Sequence, residues 1–158
     1  MEIVNGEDKI EDEQLFIHLS KLSKVFSSDK LHVVLSGGEP VVNKHFSYLV
    51  SELLDSGYVV GLHTNGLKTP TFKTNPFGCV ILSLKSKEDK INMDLDSYCD
   101  QIKKSMLYYD ESECKQLIIV DIPERKEWFD LVLKKLNEVD YFKHWKLKRV
   151  KKETKSED

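Results

Sequence analysis

Apolar residues recur along this chain in short blocks whose spacing alternates between helix-like and strand-like. Over residues 11–26, Leu15, Leu19, Leu22 and Phe26 fall at three- and four-residue steps, which predicts an amphipathic helix with one face turned to a core. Ser27, Ser28 and Asp29 break it. Residues 31–35 form an apolar-rich run short enough for a buried strand, and they lead directly into Ser36-Gly37-Gly38-Glu39-Pro40. A helix is predicted over residues 44–56 by the stripe Phe46, Leu49, Val50, Leu53 and Leu54, with Gly57 where a C-cap belongs. Residues 58–62 read as the next strand, ending at the loop signal His63-Thr64-Asn65-Gly66.

The alternation continues to the end of the chain. Residues 79–84 form a third apolar run. Residues 95–109 predict a helix through Leu95, Tyr98, Cys99, Ile102, Met106 and Tyr109, which turns Cys99 to the core. Residues 115–120 are a fourth strand, and residues 124–139 a helix started by Pro123 and carrying Trp128, Val132, Leu136 and Val139. Residues 144–150 offer a fifth strand. Helices between short apolar strands imply right-handed βαβ units, an α/β fold and a mainly parallel sheet.

Composition narrows the class. Charged residues make up 32% and hydrophobic ones 40%, a balance that suits a soluble globular protein, and the length fits one domain over residues 1–150 with a charged flexible tail at 151–158. No apolar run approaches the roughly 18–20 residues needed to span a bilayer. The start of the chain is acidic and polar, with neither a basic n-region nor an apolar h-region, so a cytoplasmic location is expected and no membrane partner. Cys79, Cys99 and Cys114 are odd in number and widely spaced, which argues against a disulfide framework or zinc knuckle.

Chemistry in parallel α/β folds gathers beyond the carboxyl ends of the strands. Two loops of this chain fall there. Gly37 and Gly38 let the backbone take unusual dihedrals and approach a ligand, and Glu39 offers a carboxylate, a combination suited to a small-molecule amine. The plain alternative is a tight turn in which Glu39-Pro40 starts the next helix. Leu35 to Glu39 is also similar to the signature of ATP-binding cassette proteins, but the phosphate-binding G-x-x-x-x-G-K-[ST] loop which that function needs does not occur. G-x-S-x-G, H-E-x-x-H and the dinucleotide fingerprint do not occur either. His32 and His63 read as packed or hydrogen-bonded histidines, and the acidic stretches at 11–13 and 110–113 as solvated faces or turns.

Leu35-Ser36-Gly37-Gly38-Glu39-Pro40, a helix, and then Val59-Val60-Gly61-Leu62-His63-Thr64-Asn65-Gly66 resemble the G-G-E-P and T-N-G succession of radical S-adenosylmethionine (SAM) enzymes. The likeness is to 7-carboxy-7-deazaguanine synthase and the activating enzymes of glycyl-radical systems. Ser83-Leu84-Lys85 is similar to the motif after the next strand, and residues 115–121 resemble a later strand. The resemblance covers about residues 11–140. It implies an incomplete parallel β/α barrel of four or five strands with outer helices. It also implies that Gly37, Gly38, Glu39 and Pro40 form a loop holding the amino group of SAM, that Ser83 and Lys85 meet its carboxylate or ribose, and that Thr64 and Asn65 line the same face.

The family pattern fails at one point. Radical SAM chemistry needs a four-iron four-sulfur cluster held by three cysteines spaced C-x-x-x-C-x-x-C ahead of the first helix, and this chain has no cysteine before Cys79. No iron-sulfur cluster is therefore expected from this chain alone. The expectation is a degenerate relative with a residual SAM pocket and a binding or regulatory role, partnered by another protein or a second copy of itself. The alternatives are a truncated or split enzyme resembling the synthase or a ribonucleotide reductase activating enzyme, or a nucleic-acid-binding module built on the basic run Trp145 to Lys152. For that run the first reading is an edge strand whose lysines discourage further pairing, with nucleic acid not expected as a partner.

Overall fold

A computed structural model describes residues 31–151 and the backbone of Glu2–Val4. The helix expected over residues 11–26 and the tail beyond Lys151 lie outside the described residues. The chain forms an α/β structure whose strands are β1 (Glu2–Val4), β2 (His32–Ser36), β3 (Val59–Thr64), β4 (Cys79–Ser83), β5 (Cys114–Val120) and β6 (Lys146–Val150). Among the described residues three α-helices accompany them: α1 (Phe46–Asp55), α2 (Leu95–Tyr108) and α3 (Lys126–Leu136). Every strand pair is parallel, and the order in the sheet is the order in the chain.

That order decides the layering. Right-handed crossovers that always step in the same direction leave their helices on one face of the sheet. Burial agrees: Val33, Leu35, Val60, Leu62, Val80, Leu82, Leu117 and Ile119 lie in one core with Phe46, Val50 and Leu53 of α1, Ile102 and Met106 of α2, and Val132 and Leu136 of α3. The alternate positions Val34, His63, Ile81, Ser83, Gln116 and Ile118 are only half-buried. The sheet therefore has a packed face and a second, less covered face.

Most elements fall where the hydrophobic pattern puts them, and the differences have local causes. β1 was not foreseen, since three residues inside an acidic, polar stretch carry no periodicity. α1 starts two residues late and leaves Leu54 exposed, because a stripe of five is wider than the sheet contact needs. The helix expected over residues 124–139 divides into a 3-10 turn, Pro123–Arg125, then α3, then a 3-10 segment, Asp140–His144. Phe129 takes the buried position in α3, while Trp128 is half-buried and packs on Tyr98 with ring centroids 5.7 Å apart. Cys99 faces the core as expected. The basic run forms the edge strand β6 behind a buried Trp145. Among the described residues no helix is long and apolar enough to cross a membrane.

Candidate functional site

The loops after β2 and β3 leave neighbouring parallel strands at the same end of the sheet. Gly37 and Gly38 both take positive φ, 81° and 31°, a conformation that costs an L-residue about 1–2 kcal/mol and a glycine little. They turn the chain so that Glu39, back in extended geometry, caps the 3-10 turn Pro40–Val42. The Glu39-Pro40 step therefore starts a short helical turn, as the plain alternative has it, and leaves the Glu39 carboxylate beside the loop.

That carboxylate reaches across to the next loop. One oxygen accepts hydrogen bonds from the Thr64 hydroxyl and, at 3.4 Å, from the Val41 N–H, and the other accepts from the Asn65 N–H at 2.8 Å. Thr64 is buried, and its oxygen also accepts from the Gly66 N–H at 3.3 Å. The Asn65 side chain folds back to accept from the Leu67 N–H at 3.0 Å, an Asx turn. Gly66, at φ 73°, then passes its carbonyl to α2, where the Ser105 hydroxyl donates at 2.6 Å and Gln101 at 3.2 Å. A Cβ at Gly66 would stand 3.1 Å from Ile102 Cδ1, so both the dihedral and the space call for glycine. The two loops and α2 are one hydrogen-bonded unit, with Gly38 exposed at its outer edge. Among the described residues neither the Gly37 nor the Gly38 carbonyl accepts a hydrogen bond.

Ser83 and Lys85 follow on the next strand. Ser83 Oγ is hydrogen-bonded to His63 Nε2 at 2.5 Å, across the less covered face of the sheet. Lys85 is fixed through its backbone: its N–H donates to the Tyr98 hydroxyl at 2.7 Å, and its carbonyl accepts from Trp128 Nε1 at 2.9 Å. Burial holds the Tyr98 phenol well above its ordinary range, so the hydroxyl stays protonated at neutral pH. All eight residues expected at the site thus lie at the carboxyl ends of β2, β3 and β4 or in the loops that follow, roughly 10 Å apart from first strand to third.

His63, read from the sequence as packed or hydrogen-bonded, is hydrogen-bonded to Ser83. The polar contacts of Tyr98, Trp128, Gln101 and Ser105 are not legible in the sequence, since no spacing rule links residues that meet only after strands have paired and helices have packed on them.

The cysteines do not fit an iron-sulfur cluster at this site. Cys99 is in the core, and Cys79 and Cys114 open β4 and β5, at the far end of the sheet from the glycine loop. Among the described residues no group of three His, Cys, Asp or Glu side chains could hold a metal ion. Asp110, in the acidic stretch 110–113, pairs with Lys115 and His144. No protein-family model matches the chain, and no curated protein is similar enough to count as a relative.

Proposed function

We propose that this chain is a radical-SAM-like protein without the cluster, an incomplete parallel β/α barrel that keeps a pocket for SAM or a related amine and serves as a binding or regulatory protein. The observation that carries the reading is the tie between Glu39 and the Thr64–Asn65 backbone and side chain, which joins the two motif loops at adjacent strand ends. The single-direction strand order supports the barrel form, because only such an order can curl into one.

In this reading Glu39 acts mainly as the clasp that shapes the loop. The carbonyls of Gly37 and Gly38 would accept from a ligand ammonium, and a carboxylate with more lone pairs than bonds would strengthen that contact electrostatically. Pro40 is buried and holds the loop from below. Ser83 and Lys85 would meet the ligand's polar far end, and Thr64 and Asn65 set the shape of the wall between. SAM, when bound, supplies a sulfonium and an amino-acid group. The residues here bind and orient it, and no electron-transfer step is assigned to them.

The test is calorimetry with SAM and S-adenosylhomocysteine, together with amide chemical-shift mapping of the labelled protein. Binding is expected to move the amides of Gly37, Gly38, Asn65 and Lys85 and to leave α3 unchanged. Absence of binding at millimolar ligand, or shifts confined to another surface, would reject the pocket. Uptake of iron and sulfide with cluster absorbance after anaerobic reconstitution would reject the cluster-less assignment.

A further inference from the structure

We propose that Cys79 and Cys114 form an oxidisable dithiol that closes to an intramolecular disulfide in response to hydroperoxide. The two residues are direct register partners on the adjacent parallel strands β4 and β5. Partners in register project to the same face of a sheet, and neighbouring strands lie about 4.8 Å apart. That spacing falls inside the roughly 4.4–6.8 Å between Cα atoms that a disulfide spans.

The backbone around the pair is held in place from both sides. The Cys114 N–H donates to the Gly78 carbonyl at 3.2 Å, and the Gly78 N–H to the Val60 carbonyl at 3.0 Å. Buried Ser112 donates its hydroxyl to the Phe77 carbonyl at 2.6 Å and accepts from Asn75 at 2.8 Å. The residues just before both cysteines are thus clamped together, and closing the bond requires side-chain rotation more than strand movement.

The two thiols differ in their surroundings, which divides the steps between them. Cys114 is exposed and meets the oxidant first. Its thiolate attacks one peroxide oxygen, the O–O bond breaks, Cys114 becomes a sulfenic acid, and the expelled hydroxide takes up the proton that the thiol released and leaves as water. Cys79 is half-buried, and burial together with the neighbouring Cys114 pushes its thiol pKa up to about 11, so it is held back as a protonated thiol. The Cys79 sulfur then attacks the sulfenic sulfur, its proton leaves with the displaced hydroxyl as a second water, and the S–S bond forms. Two thiols lose two electrons in all, and one hydrogen peroxide becomes two waters. A dithiol reductant reverses the reaction by exchange. Cys99, in the core, takes no part. The pair lies at the opposite end of the sheet from the proposed pocket, so the inference stands whether or not SAM binds.

The experiment uses the reduced full chain, freed of reductant and treated with hydrogen peroxide. Thiols titrated after unfolding are expected to fall from three to one per chain, with the protein still monomeric on a non-reducing gel and one peptide linking Cys79 to Cys114. Cys114→Ser should keep its two remaining thiols, and Cys79→Ser should stop at a sulfenic acid on Cys114 that dimedone traps. Circular dichroism confirms that both variants fold. A wild-type count that stays at three, a disulfide between two chains, or sulfinic acid on Cys114 without the internal link would each overturn the proposal.

Discussion

The carboxylate of Glu39 stands between donors from two loops, and its replacement tests whether that arrangement is what holds them. Glutamine keeps the size and one carbonyl oxygen but turns an NH2 group toward either the Thr64 hydroxyl or the Asn65 N–H. One of these donors then loses its acceptor in a partly buried place. Hydrogen bonds to a charged group contribute about 1.5–3 kcal/mol, so Glu39→Gln is expected to lower the unfolding free energy by that amount, read from urea titration. Hydrogen exchange at the Asn65 amide should accelerate as well. Unchanged stability and exchange would mean that the loops are held by their own turns. The motif letters were legible in the sequence because glycines, Asn-Gly and Glu-Pro sit at strand ends. The tie from residue 39 to residues 64 and 65 was not, since it joins positions some 25 apart that become neighbours only through pairing of β2 with β3.

α2 and α3 show how far periodicity reaches. In α2, Tyr98, Cys99, Ile102 and Met106 are all buried, as a three-to-four-residue stripe requires, and Tyr109 is buried at its C-cap. What the stripe does not reveal is that its two fully buried tyrosines differ at their hydroxyls. The Tyr98 hydroxyl accepts from the Lys85 N–H, whereas the buried Tyr109 hydroxyl has no hydrogen-bond partner among the described residues while its ring packs edge-on against Phe77 and Tyr108. Phenylalanine at each position removes the same atom with opposite results. Tyr98→Phe strands a backbone donor and should cost about 1–3 kcal/mol, while Tyr109→Phe removes an unsatisfied polar atom and should be neutral or stabilising. Equal losses in the two variants, measured by chemical denaturation, would contradict this. The boundary errors have the same origin as the hydroxyl problem. α3 gave up its predicted ends to two 3-10 segments, the second of which turns the chain after Leu136 toward Trp145, a demand of the tertiary structure that no local pattern carries.

The strand order of the whole molecule puts the aromatic core on one side of the sheet, and this has a consequence for its response to alkali. Alternation alone was enough to read a parallel α/β fold, while the uneven covering of the two faces follows from strand order, which the sequence does not state. On the packed side, burial raises the phenol pKa of Tyr98 and Tyr109 far above the ordinary 10.0, and on the other face Cys79 rises from 9.0 to about 11. The folded state therefore keeps protons that the unfolded chain releases once pH passes 9 for the thiol and 10 for the phenols. Since the unfolded state then binds fewer protons, stability must fall as pH rises. It should be level below about pH 9 and decline above pH 10, each buried tyrosine approaching a slope of about 1.4 kcal/mol per pH unit. Tyr108 and Tyr141, also raised by burial but partly exposed, add smaller amounts. Urea midpoints followed from pH 8 to about 11.5, with tyrosinate absorbance as the second signal, measure the effect, and Tyr109→Phe should reduce the slope by close to one proton. Urea midpoints that stay level up to pH 11.5 would show that Tyr98 and Tyr109 reach water, and the one-sided core would have to be given up.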